Sequence, residues 1–355
     1  MKCNKIFITT VDPTYGSGQN SFSLNLIKII AQRNDFKECW IFSAKYPSSL
    51  NFIKNKVIFF NTNNLKHIKI LLFQLQLCYL FIKKTDAIFY FSLKPYFFSA
   101  IILRLLNIKY HVITEGFMNM NIQSSYNIIL AKVYIFIVNY VIRGASSSSS
   151  CYQTGVDWLS SLSNNDIYKL HCGVSREFTC NLLKNKSIKE PFDLGYVGSF
   201  RDVHGINKLL DFCLYYKLTA KLVGDGQLFS FFSKESKYNN SGLFTFTGFI
   251  SNSEVASHIN DCNVMWGFSL DRYWGLPMKI IEYLSLNKPV LANTKSDLKY
   301  FIDRGLIQTI TDSSSLNEIN MKYNMCLKSI FIDDDIEYIN KEFNWDKFNI
   351  IFNGK

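Results

Sequence analysis

The stretch Gly195–Tyr196–Val197–Gly198–Ser199–Phe200–Arg201–Asp202–Val203–His204–Gly205 joins an apolar run to an amphipathic one. Asp193–Val197 reads as a short buried strand, and Ile206–Leu218 places apolar residues at helical spacing. A strand that stops at glycine and resumes as a helix is the repeating unit of a parallel α/β sheet. The pattern continues downstream. Ala220–Val223 is a strand ending in Gly224–Asp225–Gly226, and Phe244–Thr247 is a strand ending in Gly248. Ser251 with Glu254 three residues on forms a capping box that opens a helix to Asn260. Val264–Phe268 then reads as a strand, Lys279–Leu286 as a helix and Pro289–Ala292 as a strand.

Before this region, Asn181–Phe192 has the composition of a linker, with Lys184, Lys186, Lys189 and Pro191. A second α/β pattern precedes it. Lys5–Val11 is an apolar, β-branched run that ends in the turn-forming loop Asp12–Gly18, and Ser21–Ile30 has helical spacing. Trp40–Phe42, Val57–Phe60, Ala87–Phe91 and Tyr110–Thr114 read as further strands. The serine run Ala145–Ser150 reads as a strand end and turn. Two long apolar stretches, His67–Lys84 and Asn127–Arg143, are interrupted by Gln74 and Gln76 and by Lys132 and Asn139. Both fall short of the roughly 20 apolar residues that cross a bilayer, so they read as buried or interfacial helices. The implied architecture is α/β: two Rossmann-like domains facing a cleft. Residues 1–180 form the N-terminal domain, 181–192 the linker, 193–340 the C-terminal domain and 341–355 a helix crossing back to the first domain.

The chain of 355 residues carries a formal net charge of +11. Residues 1–180 hold 19 Lys and Arg against 8 Asp and Glu, and residues 181–355 hold 20 against 20. The whole excess is therefore in the first half. The cations are scattered among apolar residues, a pattern that suits an anionic membrane surface or a phosphorylated substrate rather than a nucleic-acid groove. Nine cysteines, without a Cys-x-x-Cys, suit reduced thiols in the cytoplasm and no metal cluster. Met1–Thr10 reads as a first strand and not as a signal peptide. Asp333–Asp335 reads as a solvated turn.

Four pieces in order carry a resemblance. They are Gly195–Gly205, Leu222–Gly226, Phe246–Ile250, and Gly275–Tyr283 followed by Lys288–Ala292. Together the region Pro191–Ala292 resembles the family 4 retaining glycosyltransferases, which have the glycosyltransferase B fold. His171–Val174 looks like that family's turn before the linker, and Phe343–Asp346 like the start of its terminal helix. The resemblance implies a nucleoside diphosphate sugar as donor, no cofactor, and no metal in the donor site. It also implies substrate-binding roles for Gly248 and Phe249, for the loop Gly16–Ser17–Gly18 of the first domain, and for Ser199 and His204 after the first strand of the second.

The residues themselves suit that chemistry. When a sugar leaves a diphosphate, negative charge grows on phosphate oxygens, and cations or oriented N–H groups aimed there lower the barrier. Gly275 lets the backbone approach a ligand, Leu276 follows it, and Pro277 suits the first turn of a helix. The free N–H groups of that helix favour phosphate. Lys279, one turn in, adds a full charge. Glu282, three residues on, shares its face, and the resemblance gives it the ribose hydroxyls. Arg201 presents a planar fork to phosphate. Neutral His204 acts as a hydrogen-bond donor or caps the following helix. Glu115 ends a strand at the edge where open α/β sheets bind ligands, and is the candidate acceptor-side or sugar-side carboxylate. The first Glu of the family's Glu-x7-Glu motif falls on Trp274, so the segment is silent on which sugar is moved. Arg201, Lys279 and Glu115 are the catalytic candidates.

These readings converge on a hexosyltransferase that uses a nucleotide-sugar donor and a lipid-linked or oligosaccharide acceptor, peripheral at the cytoplasmic face of the cell membrane, with no nucleic acid partner. Bacterial surface polysaccharide biosynthesis (O-antigen or capsule) is the implied setting. The alternative is a non-catalytic, membrane-associated sugar-nucleotide-binding protein with a degenerate transferase fold.

Overall fold

A computed structural model describes residues 4–10, 18–43, 57–61, 66–92, 97–114, 128–174, 178, 191–270, 277–293 and 296–353. The chain divides into two compact units. Unit 1 comprises Met1–Cys172 with Trp345–Lys355, and unit 2 comprises Gly173–Asn344. The division falls within the His171–Val174 turn, ahead of residue 180. Most of the linker segment, 181–190, lies outside the described residues.

Unit 1 is built on a seven-stranded parallel sheet. Its strands are β1 (Lys5–Thr10), β2 (Phe36–Ser43), β3 (Val57–Asn61), β4 (Ile88–Ser92), β5 (Tyr110–Thr114), β6 (Ser147–Ser150) and β7 (Asp166–Lys169). Their order is β3-β2-β1-β4-β5-β6-β7. Two strands differ from the sequence expectation. Four of the five serines of the run, Ser147–Ser150, form a buried strand, with Ser146 exposed just ahead of it, so the run is more than a strand end and turn. It is held between His111–Thr114 and Asp166–Lys169 by parallel pairing on both sides. Serine has weak strand propensity, but pairing on two edges and burial override it. Strand β7 is too polar and short to declare itself.

The C-terminal segment packs within unit 1. Trp345 and Phe348 stack at ring centroids 5.6 Å apart, and each lies 5.7 Å from Phe22. Phe352 meets Phe36 and Tyr90 edge-on, both at 5.3 Å. Arg33 fixes this segment through Asn349 at 2.8 Å and Asn353 at 2.9 Å. The segment is a 3-10 turn, Trp345–Phe348, followed by a short helix, Asn349–Asn353. Residues 341–344 belong to unit 2, so the return begins at Trp345 rather than 341.

Unit 2 has six parallel strands: β8 (Phe192–Val197), β9 (Ala220–Val223), β10 (Phe244–Gly248), β11 (Cys262–Trp266), β12 (Val290–Ala292) and β13 (Ile307–Thr309). Their order β10-β9-β8-β11-β12-β13 is that of a doubly wound sheet. The order reverses between β8 and β11, and open sheets bind ligands outside the strand ends at such a point. On one face, Leu194, Tyr196, Val264 and Trp266 pack with the helices Ile206–Tyr216 and Leu316–Cys326. Alternation along the strand puts Gly267 on the other face. There a Cβ would lie 2.8 Å from Ile280 Cγ1, so glycine lets the helix Met278–Ser285 sit directly on the sheet. Asp333–Asp335 is the first turn of the helix Asp333–Glu342 and not a solvated turn. Asp335 is fully buried, accepting from Tyr300 Oη at 3.0 Å, Arg304 Nε at 3.0 Å and the Ile332 N–H at 3.0 Å.

Candidate functional site

Three glycine loops meet at the carboxyl ends of β8, β9 and β10. Gly224 follows β9 with φ +125°, and a Cβ there would lie 2.0 Å from the Gly198 carbonyl. Gly226 has φ +152°, and its Cβ would meet the Phe200 backbone at 2.8 Å. The Gly224 N–H donates to Gly248 O at 2.9 Å, and the Phe200 N–H donates to Asp225 O at 2.9 Å. No side chain fits between these loops, so their backbones form one rim. Gly248 occupies that rim with φ +72°, and Phe249 beyond it is 71% exposed.

Two tyrosine hydroxyls fix the end of β8. Tyr283, from the helix Met278–Ser285, accepts from the Val197 N–H at 2.9 Å and donates to Val197 O at 3.0 Å. Tyr196 is fully buried and donates to Ser199 O at 2.6 Å. The loop geometry is thereby set from below by side chains that motif reading passed over.

Lys279 sits above Tyr196, its ammonium nitrogen 4.2 Å from the ring centroid. That nitrogen is buried and has no hydrogen-bond partner among the described residues. Burial lowers its pKa from 10.5 to about 7. Pro277 is the residue before the helix rather than its first turn, with φ −64° and ψ 120°. Lys279 is consequently the second helical residue, within the first turn and not one turn in. Among the described residues, no side chain caps that turn.

His204 closes the other side. It ends the 3-10 turn Asp202–His204, which Arg201 precedes. Its Nε2 lies 3.4 Å from Ser199 Oγ and its Nδ1 3.4 Å from Ser269 Oγ, while its carbonyl accepts from Trp266 Nε1 at 3.2 Å. Ser269 is held in turn by Asn293, whose Oδ1 accepts the Ser269 N–H at 2.8 Å. Burial, reinforced by the charges of Lys279 and Arg201, lowers the His204 pKa to about 3, so the ring is neutral. His204 does not cap the next helix. Gly205 holds that position with φ +55°, where a Cβ would strike Phe268 at 2.7 Å.

The structure thus gathers Ser199, His204 and Lys279 at the switch point, with Gly248 on the adjoining rim. Arg201, exposed on the loop, is near enough for its charge to act on His204. Glu282 lies one turn beyond Lys279 and is half-buried. Gly18 is the first residue of the helix Gly18–Ala31 in unit 1. Gly16, Glu115, Trp274, Gly275 and Leu276 lie outside the described residues. Tyr196, Tyr283, Ser269 and Asn293 are additions. Asn293 directly follows the predicted strand Pro289–Ala292, and that position was a usable signal for it. Nothing in one sequence marks the tyrosine hydroxyls. Among the described residues, no group of three or more His, Cys, Asp or Glu is placed to hold a metal ion.

A neutral donor, a desolvated cation and an uncapped helix start, converging where a doubly wound sheet reverses, suit an anionic ligand. The family comparison agrees: residues 181–329 match the model of glycosyl transferases group 1. Residues 181–329 are thus similar to glycosyl transferases group 1, over less than half of the chain, and the fold is the glycosyltransferase B fold. An uncharacterized glycosyltransferase of Methanocaldococcus jannaschii is 26% identical over 157 residues, 43% of this chain and 44% of that protein. The match therefore spans less than half of that relative's length. Two solved glycosyltransferase B structures align along nearly the whole chain. One is HepE of Anabaena in complex with UDP and glucose, with TM-score 0.67 and 14% identity, covering 98% of both chains. The other is WaaG, a glycosyltransferase involved in lipopolysaccharide biosynthesis, with TM-score 0.68 and 9% identity, covering 99% of this chain and all of that one. At those identities the likeness speaks to the fold alone. Both units of the transferase fold are present, and the matched domain contains every residue gathered at the switch point of unit 2.

Proposed function

We propose that this protein transfers a hexose-type sugar from a nucleoside diphosphate donor, with retention, to a lipid-linked or oligosaccharide acceptor. The setting proposed is assembly of a bacterial surface polysaccharide at the cytoplasmic face of the cell membrane. The observation that carries the donor half is the Lys279 ammonium, buried and without a hydrogen-bond partner among the described residues. A buried cation without a counter-charge is costly. A diphosphate supplies the missing charge, and the free N–H groups of the helix start point the same way.

As the bond from the anomeric carbon to the diphosphate oxygen breaks, negative charge grows on the phosphate. Lys279 and Arg201 offset that charge, and His204 donates a hydrogen bond without adding charge. His204 can hold this role at neutral pH because its pKa is about 3. With two cations in the site, the reading calls for no metal. Glu282 is assigned to the ribose hydroxyls, Ser199, Gly248, Phe249, Gly275, Leu276 and Pro277 to the donor, and Gly16, Gly18 and Glu115 to the first domain's share of donor and acceptor. The UDP and glucose bound to HepE and the lipopolysaccharide role of WaaG support a nucleotide-sugar donor and a cell-surface glycan.

The test is release of nucleoside diphosphate from a panel of UDP-, GDP- and other sugar nucleotides. At least one should turn over, and Lys279→Ala and Glu282→Ala should each abolish turnover while the chain stays folded. Unchanged turnover in both variants contradicts the donor site. Nucleotide binding without any turnover favours the non-catalytic alternative.

A further inference from the structure

Three helices of unit 1 lie side by side: Lys66–Lys83, Phe97–Leu105 and Ile128–Gly144, the middle one packed on both others. Their inward faces are accounted for. Leu77, Leu80 and Phe81, Ala100 and Leu103, and Val138, Val141 and Ile142 enter the core over the first sheet. Their outward faces are also apolar. Leu75, Tyr79 and Ile82 recur at i, i+4 and i+7, and Ile129, Val133 and Phe136 repeat the spacing. Leu105 and Leu106 end the middle helix between them, both exposed. Tyr79 is 65% exposed, Phe136 70% and Ile129 73%. A helix on a water-facing surface normally carries polar residues along that stripe.

The charges on the three helices themselves have one sign. The three helices contain no Asp or Glu. Lys83, Lys132 and Arg143 are exposed on them. An outward apolar stripe on helices whose own charges are all cations is the pattern of a helix lying in the headgroup region of an anionic bilayer. The same charges oppose pairing of two copies through this face, since lysine would meet lysine. None of the helices is long and apolar enough among the described residues to cross the membrane.

We propose that this three-helix face is the surface by which the protein docks on an anionic lipid bilayer. Tyr79, Ile129, Val133 and Phe136 enter the boundary between headgroups and acyl chains, and Lys83, Lys132 and Arg143 meet the lipid phosphates. The proposal rests on the membrane side of the function given above and names the surface for it.

The experiment is co-sedimentation of the full chain with phosphatidylcholine vesicles, with and without phosphatidylglycerol. The chain should bind the anionic vesicles and bind less as salt is raised. Tyr79→Ser with Phe136→Ser, both at exposed sites, should lower the partition coefficient about tenfold or more. Phe231→Ser, also exposed but in unit 2, should leave it unchanged. No binding of the parent chain, or equal partitioning of the double variant, overturns the proposal. So does a lipid-free dimer that the double variant dissociates, because the face would then pair two copies. Nucleoside diphosphate binding is measured on the same samples. Lost vesicle binding with intact nucleotide binding is a failure of docking alone, and the reverse is a failure of the donor reading alone.

Discussion

Replacing Lys279 by methionine should stabilise the protein while removing its donor chemistry. A lysine whose pKa falls from 10.5 to about 7 holds its charged form at a cost of about 5 kcal/mol, at about 1.4 kcal/mol per tenfold. Methionine matches the stem in volume and carries no charge. The expected gain for Lys279→Met is therefore about 5 kcal/mol below neutral pH. The sign with pH follows from proton counts. Between about pH 7 and 10.5 the unfolded chain keeps a proton that the native chain has shed, so parent stability rises with pH across that window. The advantage of the variant should be full at about pH 6 and nearly gone at about pH 10. Urea unfolding at both pH values, with slopes compared to exclude a change in the denatured state, measures it. A variant less stable than the parent at the lower pH, or an equal difference at both, would refute the reasoning.

Other consequences are local. Gly224→Ala should cost more than about 3 kcal/mol, since its Cβ has a carbonyl in its way. Gly242→Ala, at φ +70° with nothing within 4 Å, isolates the backbone term and should cost only about 1 kcal/mol; urea midpoints separate the two. Tyr283→Phe removes the hydroxyl that serves both polar groups of Val197 and should cost about 1–3 kcal/mol by the same measurement. For Asp335, burial acts to raise the pKa, but the hydrogen bonds from Arg304, the Ile332 N–H and Tyr300 outweigh it and the net shift is downward. Its stabilisation is therefore present above the ordinary carboxylate range and lost as pH falls through the lowered pKa. Asp335→Asn should flatten the acid limb of a thermal-unfolding profile.

The second unit was legible because its glycine turns are written where no other residue fits. At Gly205 and Gly224 a side chain would collide, and such positions stand out between short apolar runs. The helix carrying Lys279 was legible to within one residue. The shift of Pro277 from first turn to cap moved Lys279 closer to the helix start, where its charge and the free N–H groups coincide. The serine strand was not legible, because pairing on both edges decides it and no local propensity records that. Asp335 was misread for a related reason: its partners, Tyr300 and Arg304, lie more than 30 residues away. Cationic excess in the first half was visible as a count. That Lys83, Lys132 and Arg143 edge one apolar face became visible only once three helices were placed side by side.

The central claim is a diphosphate site built on a desolvated lysine, and calorimetric titration with UDP, GDP and other nucleoside diphosphates tests it most directly. At about pH 8, one unit above the Lys279 pKa, the free site is mostly neutral, so binding should take up close to one proton. Titrations in two buffers of different ionisation enthalpy read that uptake. The account predicts binding with proton uptake in the parent chain, and loss of both in Lys279→Met. Binding of equal affinity in the two proteins, or no binding of any nucleoside diphosphate by the folded parent, would contradict it.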